Sequence, residues 1–388
     1  MKAGVRTYVK VALALGAALG ICIAAVAAEP GIAKDKIVIG AFLPLQSGLA
    51  AGASQLRDGA DAYFKHVNDT GGIHGRKIEW VVENDSYDPQ QTMAVAKKLV
   101  DRDGVFAIVS TLGTATNLAV LPYLAQRGVP LINPAGGHER LNAPTDKNVF
   151  GMLPVAKKTG IDMAEYAVGT LDAKRVAIFY QNDPWGKDPR DGQIDALAKR
   201  GLKPVAEASY MPSDIDVSAQ VVALQKAQPD VVLMNVIAKH GAMFLKEAQR
   251  LGWKPKFIAS NVMGDPVVLD LAGSAMEGVI VNLITAVETM DTPAIKKANE
   301  ILAKYHPETK PGYFTYLGMA GAMAFVEGAK RAGKDLTRPK LIAALESLGR
   351  FETGVVPPVN WSTANHGGPT THGYAVWKEG KLAPLKGW

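Results

Sequence analysis

The chain has 388 residues, of which 48% are hydrophobic and 21% are charged, and its formal net charge is +6. This balance excludes a disordered chain, a collagen-like fibre and a polytopic membrane protein. Three of the positive charges are Lys2, Arg6 and Lys10, so the chain without its N-terminal segment carries +3. A charge this small leaves no basic stripe for phosphates, and we expect no nucleic-acid partner.

The N-terminal segment has the order of a secretory signal, because its basic start is followed by the apolar run Val11–Ala28. We predict that residues 1–28 are a signal peptide cleaved near Ala27 or Ala28, and that the mature protein is periplasmic. The alternatives are a retained membrane anchor, since a spanning helix needs about 20 apolar residues, and lipidation at Cys22. Cys22 is the only cysteine. A cleaved chain would therefore have no disulfide and no thiolate metal site.

From Ile37 onward, short β-branched runs alternate with amphipathic helical stretches, which is typical of βαβ units on parallel sheets. The predicted strands are Ile37–Phe42, Lys77–Val82, Phe106–Val109, Val129–Ile132, Val176–Tyr180, Val205–Ser209, Val231–Asn235, Phe257–Ser260 and Val279–Leu283. The pattern then predicts helices over Pro293–Tyr305, Phe314–Ala332 and Pro339–Leu348, and a closing pair of strands, Val355–Asn360 with Gly373–Trp377.

The strands fall into two sets, which predicts an α/β fold of two doubly wound parallel-sheet lobes joined by a three-crossing hinge. The N-terminal lobe is expected to take residues 36–153 plus 284–350. The C-terminal lobe is expected to take residues 154–283 plus 351–388. Because the late helices follow the last strand of the second set, we expect them to return and cover the first lobe.

Motif searches argue against several enzyme classes. The chain has no Gly-x-Ser-x-Gly, no His-Glu-x-x-His and no dinucleotide-binding glycine motif after a strand. His366 and His372 lie in a glycine-rich turn and could hold a metal with Glu139. No histidine pair has ligand spacing on one helix face, so a solvated loop is favoured, and we expect no metal and no cofactor.

Ligands of open α/β sheets bind outside the carboxyl ends of the strands, which selects the loops after the predicted strands. The loop Ser110–Thr116 is the most informative of these, because its small and hydroxyl residues precede a helix. A carboxylate bound there would gain about 0.3–1 kcal/mol from the helix dipole. Capping of the helix by Ser110, Thr114 or Thr116 remains the alternative. Trp185 follows another strand, and it either clamps a ligand or packs on its own lobe.

Four runs, in this order, resemble the periplasmic solute-binding proteins of ABC importers, in particular their leucine/isoleucine/valine-binding branch: Ile37–Gly48, Asn68–Gly75, Asp85–Gln90 and Ile132–Ala135. The resemblance extends from about Lys36 to Trp377. It implies a type I periplasmic-binding fold and a hinged clamp, without enzymatic activity, that captures a small-molecule ligand. It also implies delivery of that ligand to a membrane permease of an ABC importer, and we expect a monomer.

The resemblance implies ligand contacts from the first lobe at a helix start and the neighbouring loop, which are Leu112, Gly113, Thr114, Ala135 and Gly137. From the second lobe it implies Trp185. The chain departs from the family pattern in two places. His138 follows Gly137 where the family has a hydroxyl residue, and Asn261 stands where the amino-acid binders place an acidic residue. Asp265 comes four residues later and is a candidate substitute.

These departures affect which ligand is expected. Burying the ammonium of an α-amino acid without a carboxylate partner costs on the order of several kcal/mol. A carboxylate without an ammonium, such as an aromatic or branched aliphatic acid, is therefore favoured over an α-amino acid, and an amide remains open. Two other functions remain open as well. One is a hydrolase that uses His138 with Asp265 or Asp183 as acid and base, although no nucleophile or metal framework accompanies them. The other is the sensing domain of a receptor.

Overall fold

The computed structural model describes residues 29–386, except residues 145 and 288. The predicted signal peptide, residues 1–28, lies outside the described residues, and so does Cys22. Within the described range, no helix combines the length and the apolar character that a membrane crossing requires.

The first part of the chain alternates strands with helices. Its elements are β1 (Lys36–Leu43), α1 (Ala50–Asp69), β2 (Lys77–Asn84), α2 (Pro89–Lys97), β3 (Ile108–Leu112), α3 (Thr114–Gln126), β4 (Leu131–Ala135), α4 (Glu139–Asn142) and β5 (Val149–Phe150). The strands form a parallel sheet in the order β2-β1-β3-β4-β5. The order reverses between β1 and β3, which makes the sheet doubly wound and opens a crevice at the carboxyl ends of these strands.

The second part repeats this plan. Its elements are α5 (Ala156–Gly169), β6 (Val176–Gln181), α6 (Pro184–Lys199), β7 (Ala206–Tyr210), α7 (Ser218–Lys226), β8 (Val231–Asn235), α8 (Ala238–Arg250), β9 (Lys256–Ala259), α9 (Val267–Ala272) and β10 (Ile280–Leu283). Strands β7-β6-β8-β9-β10 are parallel neighbours, and their order reverses between β6 and β8. The two-lobed, doubly wound α/β fold is confirmed.

The late helices return to the first lobe, as the sequence predicts. They are α10 (Pro293–Tyr305), α11 (Tyr313–Ala332) and α12 (Arg338–Glu346). Helix α11 is buried along most of its length and packs on α1. The two backbones approach closely at glycines: a Cβ atom at Gly318 would lie 2.0 Å from the carbonyl oxygen of Leu56. Larger residues at this crossing would separate the helices and open the first core.

The chain end differs from the predicted closing strand pair. The remaining strands are β11 (Gly349–Phe351), β12 (Val359–Trp361), β13 (Gly373–Lys378) and β14 (Lys381–Lys386). Strand β12 pairs with β11, whereas β13 pairs antiparallel with β10 and carries β14 at the edge of the second sheet. The second sheet is therefore parallel except for this terminal ribbon.

The third crossing between the lobes also lies later than residue 350, where the sequence pattern set it. Val355 and Trp361 belong to the core of the first lobe. The indole of Trp361 is fully buried, contacts Phe150 edge-on at 5.2 Å and donates to the carbonyl oxygen of Gly151 at 3.3 Å. Residues 351–361 thus pack with the first lobe, because a large apolar side chain among them anchors there, and the crossing follows Trp361.

Strands β3 and β4 extend beyond the apolar runs that predict them. Ser110 and Asn133 have positive φ values of 58° and 56°, and the strands continue after these two residues. Asn133 Nδ2 donates to the carbonyl oxygen of Leu317 at 2.9 Å, and Ser110 Oγ donates to that of Gly318 at 3.3 Å. Contacts with α11 thus support backbone conformations that are unusual in strands. The Ser110 hydroxyl lies under α11 and neither caps α3 nor reaches the crevice.

Candidate functional site

A cavity lies between the lobes, where the carboxyl ends of both sheets face each other. Its first-lobe wall includes Leu112 and Gly113 at the end of β3, Ala135 and Gly137 at the end of β4, and Tyr87 and Phe314. Its second-lobe wall includes Thr159 and Met163 of α5, Trp185 of α6, and Asn235, Ser260, Asn261 and Asn282 at the ends of β8, β9 and β10. The rule that ligands bind beyond strand ends thus locates this cavity.

Six of the residues proposed from the sequence line the cavity: Leu112, Gly113, Ala135, Gly137, Trp185 and Asn261. Three do not, namely Thr114, His138 and Asp265. The structure therefore brings six candidates to one place and assigns other contacts to the remaining three.

The first-lobe wall is built on the start of α3. Gly113 has a φ of 127°, and its N–H donates to the carbonyl oxygen of Ala135 at 2.8 Å, so the loops after β3 and β4 hold each other. The Gly137 N–H donates to Thr114 Oγ1 at 3.0 Å. Thr114 is fully buried, so its hydroxyl fixes the neighbouring loop. The first N–H groups of α3 begin at this wall and have no carbonyl partner within their own helix.

The cavity lining carries no formal side-chain charge among the described residues. Its polar groups are amides, hydroxyls and phenols, carried for example by Asn235, Ser260 and Tyr313. Asn235 exchanges two hydrogen bonds with Gln193, at 2.9 and 3.0 Å, and Ser260 Oγ donates to the carbonyl oxygen of Val236 at 2.8 Å. Burial raises the pKa of Tyr313, against the opposing effect of the Asn261 amide, so this phenol is neutral. The wall therefore offers dipoles rather than charges to a ligand.

Trp185 lies where the two lobes meet. It contacts the apolar cores of both lobes as well as the cavity. Its position follows from the start of α6, where Asp183 accepts a hydrogen bond from the Gly186 N–H at 3.2 Å and caps the helix. The structure shows that Trp185 packs on both lobes, as one expectation held. Its indole also lines the cavity, so the other expectation, ligand contact, stays a prediction.

Tyr87 reaches from the first lobe to the second. Its φ of 62° turns the side chain into the cleft, where its hydroxyl donates to Asp183 Oδ2 at 3.0 Å. Burial raises the pKa of Tyr87, and the charge of Asp183 raises it further. Tyr87 therefore acts as a neutral donor to a carboxylate of the opposite lobe.

His138 caps a helix instead of lining the cavity. Its Nδ1 accepts a hydrogen bond from the Arg140 N–H at 3.1 Å at the start of α4. Its ring also lies near Asp188 of α6: burial raises the pKa of Asp188, and the nearby His138 opposes the shift. His138 thus belongs to the contact between the lobes beside the cavity.

Asp265 also joins the lobes. It is fully buried and accepts hydrogen bonds from the Val267 N–H at 3.0 Å and from the Phe314 N–H at 3.2 Å, at the start of α11. With its amide oriented to donate, Gln55 lies 3.0 and 3.2 Å from the two carboxylate oxygens. Asp265 is therefore not placed to substitute for the acidic residue that meets a ligand ammonium, because it does not line the cavity and its carboxylate accepts from backbone N–H groups. The acid–base pair of the hydrolase hypothesis, His138 with Asp265, therefore has both members engaged at different helix starts.

The histidines of the glycine-rich turn do not gather with Glu139. The His366 ring stacks on Phe150 at 4.1 Å, and its Nε2 lies 3.0 Å from Glu346 Oε1. His372 Nε2 lies 3.6 Å from Asp162 Oδ2. Both side chains are buried. The expectation of a solvated loop is therefore wrong for these two residues.

One other group has the composition of a metal site. Asp58, His306 and Glu308 place one ligand atom each within 4.8 Å of one another on the first lobe. Arg57 donates two hydrogen bonds to Asp58, and His306 Nε2 lies 2.6 Å from Asp61 Oδ2. Asp58 and His306 thus have protein partners of their own, away from the cavity.

Sequence reasoning missed several lining residues. Asn235 and Asn282 end or nearly end their strands, so the strand-end rule could have found both. Tyr87 and Tyr313 carry no comparable signal, because their place in the cleft depends on a left-handed turn and on the docking of α11.

A family model described as "Periplasmic binding protein" matches residues 36–380. A protein named Leu/Ile/Val-binding protein homolog 1, from Brucella abortus strain 2308, is 25% identical over 374 residues, which cover 95% of this chain and 96% of that protein.

Solved structures share the fold. A fatty acid ABC transporter substrate-binding protein from Thermomonospora curvata superposes with a TM-score of 0.85 at 25% identity, over 92% of this chain and 93% of the other. A branched chain amino acid ABC transporter from Thermus thermophilus with bound valine superposes with a TM-score of 0.83 at 23% identity, over 92% and 97% of the two chains.

Proposed function

Because the chain belongs to the periplasmic binding protein family, we propose that it captures a small carboxylate-bearing solute between its lobes and delivers it to the permease of an ABC importer. The observation that carries this proposal is the cavity formed by strand ends of both lobes. A site divided between two hinged bodies couples ligand contacts to lobe closure, because the solute gains contacts from both walls only when they approach.

The preferred solute is a carboxylate without an ammonium, such as a branched aliphatic or aromatic acid. The start of α3 supplies N–H groups and a helix dipole for the carboxylate. The lining described here provides no acidic side chain for an ammonium, since Asn261 is an amide and Asp265 bonds to the start of α11. The relatives support both kinds of ligand: one structure holds valine, and another is named for fatty acids.

We also infer that the protein is periplasmic, that its N-terminal segment is cleaved and that it has no catalytic activity, which all agree with this role. The family consists of solute-binding proteins. The residues of the proposed cavity also include no pair of a nucleophile and a base in hydrogen-bond reach of one another in the described structure.

A ligand series tests the proposal. We would titrate the purified chain with leucine, 4-methylpentanoate, benzoate and octanoate by calorimetry, and follow its radius of gyration by small-angle X-ray scattering. At least one of the three acids without an ammonium is expected to bind one molecule per chain and to compact the protein. At about 100 times its dissociation constant it should add about 2.7 kcal/mol to the free energy of unfolding.

Two results would count against the proposal in different ways. Tighter binding of leucine than of 4-methylpentanoate would refute the ligand class and leave solute capture in place. Absence of binding and compaction with all four compounds would refute capture of small carboxylates altogether. Trp185→Ala is the matched variant, and it should weaken every compound that binds the wild type.

A further inference from the structure

We propose that Asn282 and Tyr374 form a second polar subsite of the cavity, which recognises a neutral hydrogen-bonding group of the solute, a hydroxyl or a carboxamide. The inference rests on the proposed function and narrows its substrate class to acids that carry such a group in place of an ammonium.

The first observation concerns Asn282, which lies on β10 and lines the cavity with 2% of its surface exposed. Its Nδ2 is buried and makes no hydrogen bond to any described residue. Folded proteins pair nearly all buried amides, because an unpaired one destabilises the fold. A buried, unpaired amide in the wall of a ligand cavity therefore points to the ligand as its partner.

Tyr374 lies opposite Asn282 in the second sheet. Tyr374 is the direct partner of Asn282 across the antiparallel pair of β10 and β13, so both side chains lie on one face of the sheet. The Tyr374 hydroxyl is buried too, which raises the pKa of the phenol, and it faces the Asn282 side chain, which opposes that rise, but neither group has a partner at hydrogen-bond geometry within the described part of the chain. Two adjacent polar groups thus share the same unmet capacity, whereas the nearby Asn235 and Ser260 are paired with protein groups.

The chemistry of the pair selects a neutral partner. An amide and a phenol can each donate and accept a hydrogen bond, which suits a hydroxyl or carboxamide. Burial raises the pKa of Tyr374, so its hydroxyl is neutral. The nearest carboxylate on α5, Asp162, is bonded to Lys158 and lies outside the lining. An ammonium at this place would meet no unpaired opposite charge.

The two residues have different roles. Asn282 lines the cavity and is the member that touches the solute. Tyr374 does not line it, and its ring stacks on Tyr166 with centroids 4.3 Å apart and planes inclined by 19°. Tyr374 is therefore a positioning residue, whose stacked ring and hydroxyl border the Asn282 amide and limit the orientations open to it.

Matched acids test the subsite. One series is 4-methylpentanoate, 2-hydroxy-4-methylpentanoate and leucine, which differ only in the substituent at one carbon. The other series is benzoate, 4-hydroxybenzoate and 4-carbamoylbenzoate. Calorimetry on the wild type is expected to show at least tenfold tighter binding of a hydroxyl or carboxamide member than of its unsubstituted parent in one series or both, and leucine should bind more weakly than the hydroxy acid.

Substitutions assign the preference to these residues. In Asn282→Leu the preference for the hydroxyl or carboxamide member over its unsubstituted parent should fall below threefold. Tyr374→Phe should reduce the preference in part. Tyr123→Phe, which removes a hydroxyl of α3 outside the lining, should leave it unchanged. Asn282→Ala is the second variant, to be used if Asn282→Leu does not fold.

The results separate this inference from the proposed function. If acids bind and compact the wild type without any preference for the substituted members, or if Asn282→Leu and Asn282→Ala retain the preference, the subsite is refuted and capture of carboxylates stands. If no acid of either series binds, both fail. A preference that the wild type and Tyr123→Phe show, and that the Asn282 variants lose while they still bind an unsubstituted parent acid, supports both.

Discussion

The hydroxyl of Tyr87 in the first lobe donates a hydrogen bond to Oδ2 of Asp183 in the second lobe, 3.0 Å away. Asp183 also caps α6 through the Gly186 N–H and accepts a hydrogen bond from Gln181 at 2.6 Å. The bond therefore connects the turn after β2 to the start of the helix that carries Trp185. Since its two ends lie on different lobes, it forms only when the lobes approach.

Tyr87→Phe should weaken solute binding by favouring the open arrangement. A hydrogen bond to a charged group contributes about 1.5–3 kcal/mol, and Asp183 keeps its other donors in the variant, so we expect roughly tenfold weaker affinity. Calorimetry with an acid that binds the wild type measures the change, and Tyr123→Phe is the control. An affinity equal to that of the wild type would mean that the bond does not contribute to closure.

Asp265→Ala should lower the free energy of unfolding, because it removes the acceptor of the Phe314 and Val267 N–H groups from a buried place. We expect a loss of about 2–3 kcal/mol in urea denaturation. Asp270→Ala is the matched control, since Asp270 forms an exposed ion pair with Lys310 and its loss should cost less than about 0.5 kcal/mol. Equal losses in the two variants would contradict the assignment of Asp265 to the start of α11.

Asp85 should make stability depend on pH. Burial raises the pKa of Asp85 to about 6, although the Tyr87 N–H and the Thr92 hydroxyl bond to its carboxylate. In the unfolded chain the carboxyl titrates near pH 4, so the folded state holds the proton more tightly. Below about pH 4 the Asp85 carboxyl is protonated and its ionisation does not reduce stability. Above about pH 6 it is ionised, and the full loss of stability is present.

The variant Asp85→Asn removes this titration. Its amide oxygen can accept from the Tyr87 N–H and its NH2 group can donate to the Thr92 hydroxyl, which still donates to the carbonyl oxygen of Asp88. Relative to the variant, the wild type should lose about 2 kcal/mol of stability between roughly pH 4 and pH 6. Urea unfolding of both proteins at pH 4, 5, 6 and 7 measures the difference. A difference that stays constant over this range would show that Asp85 does not titrate there.

Gly321→Ala should destabilise the first lobe where α11 crosses β3 and β4. A Cβ atom at this position would lie 2.2 Å from Ser110 Oγ and 2.5 Å from Asn133 Nδ2, so the helix or both strands must move. We expect a loss of about 1–3 kcal/mol from overpacking. Gly169→Ala, at the end of α5 with no atom within 4 Å of the added methyl, should be neutral or stabilising by up to about 1 kcal/mol. Thermal or urea unfolding of both variants decides the point.

Local sequence patterns predicted an element best where the residues that start and end it lie in or next to the element itself. Strand β8 and helix α10 have the predicted bounds, the latter because Thr292 caps a helix that begins with Pro293. Helix α2 begins with the same local signal, since Asp88 caps a helix that starts at Pro89. The ends of β3 and β4 were missed because Ser110 and Asn133 depend on carbonyls of α11, which lie far along the chain.

The candidate site divides in the same way. Residues at or just after strand ends, such as Leu112 and Asn261, could be placed at the cavity because parallel sheets align their carboxyl ends. The contact of Asp265 with the start of α11 could not be placed, because it depends on how the lobes dock. His138 caps α4 locally, a role that the resemblance did not indicate. Whether the lining residues bind a solute stays a prediction.

Neither lobe is built from a continuous stretch of chain. The core of the first lobe needs α10–α12 and Trp361, and the second sheet needs β13, which ends at Lys378. A polypeptide that emerges from the ribosome N terminus first can finish neither half until almost all of it has been synthesised.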